Sequence, residues 1–177
     1  MAINNKLKKK LKEFIYDGDL LAIEAISYND WKVVIIDDKY ISENAVNNLS
    51  RSILSMGIHA YYSLPIRDLY TENENSNLKQ YSSVEPNWAD FYDIDENGRV
   101  DELEDCIFFS APLKFLLLRT GDVRHTIYAG PKDFLQSATG ISFSNQSAIC
   151  IGSNWFDDRI ENLYQPQKVK AIPSRIA

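Results

Sequence analysis

Residues 31–36 read Trp-Lys-Val-Val-Ile-Ile and stop at Asp37-Asp38. Four β-branched residues in succession are stiff at χ1, which lowers their worth in a helix and suits them to a buried strand. The residues that follow change period. Ser42 is a side-chain cap, Val46, Leu49 and Ile53 recur on one helical face up to Met56, and Gly57 ends the run. Residues 58–63 then return to a strand pattern. Strand, helix and strand in so short a span predict a βαβ unit with a right-handed crossover.

The remaining segments are read around that unit. Residues 4–16 predict a helix with Leu7, Leu11, Phe14 and Ile15 on one face and Lys6, Lys8, Lys9, Lys10 and Lys12 on the other. Asp17-Gly18 is read as its stop. Residues 20–27 fit either a helix or a strand, and as a strand they would join residues 31–36 through a hairpin loop at 28–30. In the second half, residues 106–109, 113–118, 123–128 and 147–151 read as strands. A short helix over 132–138 is opened by Pro131 and closed by Gly140. The expectation is a single α+β (mixed α/β) domain over 1–177 with a central mixed sheet of about five to seven strands. Within it, residues 64–87 are expected as an exposed loop, and 165–177 as a loosely held, basic C-terminal arm.

Composition bounds the function. A 45% hydrophobic and 12% aromatic content over 177 residues supports a core without disulfides or metals. The net charge of -6 and a pI near 4.9 argue against a nucleic-acid partner. No run approaches the roughly 20 apolar residues of a membrane span, and no apolar signal follows the N-terminal lysines, so the expected setting is the cytoplasm without membrane attachment. Cys106 and Cys150 lack metal-ligand spacing and read as reduced core thiols.

Charge is concentrated in one stretch. Between residues 85 and 105 lie nine acids (Glu85, Asp90, Asp93, Asp95, Glu96, Asp101, Glu102, Glu104 and Asp105) against one base, Arg99, with Trp88, Phe91 and Tyr92 interleaved. Residues 93–104 place oxygen-bearing side chains at positions one, three, five, nine and twelve of a calcium loop: Asp93, Asp95, Asn97, Asp101 and Glu104. Gly98 is sixth and Val100 eighth. This stretch resembles an EF-hand loop, and the resemblance implies calcium with those five residues as ligands. The flanks depart from it, since Pro86 leaves little room for an entering helix and residues 106–109 prefer a strand. The same residues also read as an Asn97-Gly98 hairpin with a solvated acidic face, which needs no cofactor.

Neither reading makes the stretch catalytic. The chain has no phosphate-binding glycine loop, no zinc-protease motif and no nucleophile elbow. His59 sits in an apolar run and reads as core. Arg119, Arg124 and His125 are close in sequence and could hold a phosphate or carboxylate, the one enzyme alternative. The favoured expectation is a binding or inhibitory protein. It would meet a basic protein partner through Trp88, Asp90, Phe91, Tyr92, Asp93, Asp95, Glu96, Asp101, Glu102 and Glu104. Bacterial immunity proteins that neutralise a nuclease toxin are one class of this description, matched by analogy and by no motif.

Overall fold

Apolar runs of this kind must be buried on both sides, and the chain achieves that with helices on either face of one large sheet. The structure, a computed structural model, describes residues 5–36, 42–71, 78–85, 105–120, 125–152 and 158–169. In chain order these form α1 (Asn5–Glu13), β1 (Ile15–Tyr16), β2 (Leu20–Leu21), α2 (Ile23–Tyr28), β3 (Lys32–Ile36), α3 (Glu43–Ser55), β4 (Ala60–Pro65) and α4 (Ile66–Tyr70). They continue as β5 (Lys79–Ser82), β6 (Cys106–Phe109), β7 (Leu116–Arg119), β8 (Thr126–Gly130), α5 (Lys132–Thr139), β9 (Ala148–Ile151), α6 (Asp158–Tyr164) and β10 (Gln167–Val169).

Among the described residues, eight strands make one mixed sheet in the order β10-β9-β3-β8-β7-β6-β4-β5, one more than the upper end of the expected range. β1 and β2 pair separately as a small antiparallel hairpin. In the large sheet β9 lies parallel to both β3 and β10, and every other neighbouring pair is antiparallel.

Strand alternation divides the core in two. Val34, Leu117, Tyr128 and Ile149 face α3 and α5, where Val46, Leu49, Ile53, Phe134 and Leu135 meet them. Val33, Ile35, Leu116, Leu118 and Ile127 face the opposite way, onto Leu11 of α1, Ile26 of α2, Leu69 of α4 and Ile160 of α6. Local signals hold where they are strong. The Ser42 hydroxyl accepts from the Ala45 N–H at 3.1 Å and starts α3. Gly140, at φ 75°, ends α5 in the left-handed region that glycine tolerates.

Several expectations are corrected. The β3–α3–β4 unit is real in direction but not in adjacency: β8, β7 and β6 lie between its two parallel strands. Residues 20–27 split into β2 and α2, so no hairpin joins them to β3, and 28–30 is the end of α2. α1 stops at Glu13, while Asp17 (φ 53°) and Gly18 (φ 81°) form the β1–β2 turn. Within 64–87 the chain builds the end of β4, all of α4 and the edge strand β5. The start of the expected C-terminal arm is strand β10, parallel to β9. His59 is exposed and is not a core residue.

Candidate functional site

The acidic stretch leaves the sheet at its edge. β5 is the outermost strand on that side, held by Tyr81, whose ring stacks on Tyr61 at 5.3 Å and meets Phe108 at 5.7 Å. The Tyr81 hydroxyl lies 3.0 Å from Ser63 Oγ. After Ser82 the strand breaks into a turn, because the Ser82 hydroxyl accepts from the N–H groups of Val84 (3.2 Å) and Glu85 (3.1 Å). Val84 is 58% exposed and Glu85 is exposed beside it. At the other end of the stretch, the Asp105 carbonyl accepts from Ile66 N–H at 2.7 Å, and Cys106 pairs with Pro65. β5 and β6 run in the same direction on either side of β4, so Glu85 and Asp105 stand at opposite ends of the sheet.

The contact residues expected from the sequence, Trp88, Asp90, Phe91, Tyr92, Asp93, Asp95, Glu96, Asp101, Glu102 and Glu104, lie outside the described residues, as do Asn97 and Arg124. The EF-hand-like reading and the hairpin reading of 93–104 fall there too. Among the described residues, no group of three or more His, Cys, Asp or Glu side chains could hold a metal ion.

The backbone of β5 has a defined sidedness. Ser83 N–H donates to the His59 carbonyl at 3.0 Å, and the register pairs Tyr81 with Tyr61 and Lys79 with Ser63. In an antiparallel ladder those residues turn their N–H and C=O groups toward β4, and the alternate ones, Gln80 and Ser82, turn theirs away. Among the described residues no strand lies beside that outer side. The side chains of Gln80 and Ser82 are also exposed. The sequence carries little signal for this strand, because Tyr81 is the one apolar residue among Lys79, Gln80 and Ser82.

The second candidate is the β7–β8 turn. Arg119 is 2% exposed and His125 3%, and Thr120 ties the turn by donating its hydroxyl to the His125 carbonyl at 3.2 Å. Arg119 pairs with Thr126 and continues the face of Leu117, toward α3 and α5. His125 precedes Thr126 and by alternation continues the face of Ile127, toward the opposite layer. The strands therefore set the arginine and the imidazole on opposite faces instead of around one ligand.

Comparison with protein-family models, with curated proteins and with solved structures returns no match. Function must therefore be argued from the chain itself. Neither Cys106 nor Cys150 is in a disulfide. Cys106 packs against the core under α3 and α5, and Cys150 belongs to the opposite core. Burial pushes the Cys150 thiol up to about 12, which keeps it protonated and inert as a nucleophile at neutral pH. Among the described residues no helix is long and apolar enough to cross a membrane.

Proposed function

We propose that this protein binds and inhibits a basic protein partner, presenting the acidic, aromatic-bearing stretch of residues 85–105. One observation carries the reading: nine carboxylates against Arg99, with Trp88, Phe91 and Tyr92 among them, in a single connection of the chain. A one-sign field steers an oppositely charged partner to its encounter, and aromatic side chains supply the buried anchors that fix it. Two further features support it. Among the described residues Glu85 is exposed and follows the end of an edge strand. Arg119 and His125, the residues an enzyme reading needs together, belong to opposite faces of the sheet. The setting proposed is the cytoplasm, and an immunity protein acting against a nuclease toxin is the class that fits this reading.

The test is affinity capture from the native host with the full chain as bait. A basic protein should be recovered at about 50 mM salt and largely lost at about 500 mM, because the Debye length shrinks several-fold across that range. Replacing Asp93, Asp95, Asp101 and Glu104 together by their amides should reduce recovery at low salt by on the order of tenfold or more. Recovery that ignores both salt and these substitutions would sink the proposal.

A further inference from the structure

Cys150 has no exposed surface, although it stands in β9, one strand from an edge of the sheet. On that edge it is covered by a single segment, residues 158–169. β10 sets Lys168 opposite Cys150, and Ile160 and Tyr164 of α6 share a core with its side chain. Lys168 and Glu161, both in this segment, are the charged groups that act on its thiol. We infer that α6 and β10 form a strap that opens as one unit while the rest of the sheet stays folded. The Tyr164 hydroxyl is its catch, and opening uncovers Cys150.

The strap is separable from what it covers. β10 has three residues and, among the described residues, bonds to β9 alone, whereas β9 is also held by β3 from Ala148 to Ile151. Loss of β10 therefore leaves β9 in the sheet. α6 has seven residues, too few to persist as a helix in water, so it unwinds once Ile160 and Tyr164 leave the core. Its Glu161 pairs with Lys168 of β10, and the Gln165 N–H donates to the Glu161 carbonyl at 3.1 Å, which ties the two elements into one unit. Gln165 itself stands at φ 45°, a left-handed conformation that disfavours a side chain and that opening releases.

Little holds the strap down. Arg159 reaches Asp17 and Asp19 from a side chain that is 43% exposed, where an ion pair adds little. The buried polar tie is the Tyr164 hydroxyl, which accepts from the Leu21 N–H and donates to the Leu21 carbonyl, both at 2.7 Å. Leu21 belongs to the β1–β2 hairpin, outside the large sheet, so releasing it breaks no strand pairing of that sheet. A unit with so few buried groups opens at a lower free energy than the whole fold.

The experiment alkylates the full chain under native conditions and follows Cys150 by mass spectrometry after digestion, at several urea concentrations below the unfolding transition. Labelling first order in reagent reports the population of the open form. Cys150 should react through an opening less costly than global unfolding. Its urea dependence should be no more than about a third of the global slope, because the slope scales with the surface exposed. Hydrogen exchange read by NMR should give the Leu21 N–H and the α6 amides the same opening free energy as Cys150, with β3 and β8 better protected. Tyr164→Phe should speed labelling of Cys150 on the order of tenfold and keep the shallow urea dependence.

A urea dependence at Cys150 equal to that of global unfolding overturns the strap. So does labelling at the rate of an unprotected thiol, which would mean that the closed form leaves Cys150 uncovered. An unchanged rate in Tyr164→Phe, or a Leu21 N–H protected as well as β3, overturns the catch. Should Tyr164→Phe fail to fold, labelling and hydrogen exchange on the unaltered chain decide alone.

Discussion

Tyr164 joins parts of the chain 143 residues apart. Its hydroxyl accepts from the Leu21 N–H and donates to the Leu21 carbonyl, both at 2.7 Å and both buried. Arg159 grips Asp19 nearby at 2.7 and 3.1 Å, but it does so in solvent, where an ion pair adds little. The phenol therefore carries the junction. Tyr164→Phe strands two buried backbone groups and should cost about 1–3 kcal/mol, seen as a lower urea midpoint at unchanged slope. An unchanged midpoint would mean that water reaches Leu21. Cys150, in the same core, makes a prediction in pH. Burial raises its thiol from 9.0 to about 12, partly opposed by the charge of Lys168. Above pH 9.0 the unfolded chain loses this proton while the folded chain keeps it. The stability it contributes is complete below that value and lost as pH climbs toward about 12. Burial shifts the Tyr164 phenol in the same direction. Melting temperature should therefore fall as pH rises above 9.0, and fall less steeply in Cys150→Ala. Parallel slopes in the two proteins would show that the thiol is not the source.

Elements pack here at backbone distance. Gly130 ends β8 just before α5, and a Cβ added to it would meet Phe134 Cδ1 at 2.7 Å and Phe115 Cβ at 3.5 Å. The Phe134 ring is already set against Phe115 at 5.1 Å, so it has little room to turn away. Gly130→Ala should overpack this joint and destabilise the fold by about 1–3 kcal/mol, measurable as a shift in the urea midpoint. A shift within error would mean that Phe134 moves freely. The helix on the far side of this joint, α5, is readable in the sequence. It has Pro131 before it, Gly140 after it, and a core-facing Phe134, Leu135 and Ala138 at helical spacing. α4 and α6 are less fully punctuated, although Pro65 precedes α4. They have five and seven residues, neither has a glycine at its end, and packing of Leu69 and Ile160 onto the sheet is what makes them helices.

At the scale of the molecule, what could be read from the sequence was the interior and what could not was its neighbourhood. β3, α3, β6 and β9 follow from apolar runs and one serine cap, and each falls within about one residue of its expected bounds. Pairing does not follow from such runs, because Val33 is equally suited to any buried partner, and the structure gives it Ala129 on one side and Ala148 on the other. Of the candidate site, the sequence shows the charge of residues 85–105 but not the edge strand that leads into it. Four residues with one buried tyrosine become β5 only because Tyr61 and Phe108 are waiting beside them. The position of β3 also sets a clock. A ribosome makes it well before either of its two neighbours, β8 and β9. At roughly 5–20 residues per second, Val33 is finished on the order of ten seconds before Ala148 exists to pair with it. For that interval the most apolar strand of the N-terminal half has no place in a sheet. Both pairing edges of β3 therefore wait for strands that are made later in the chain.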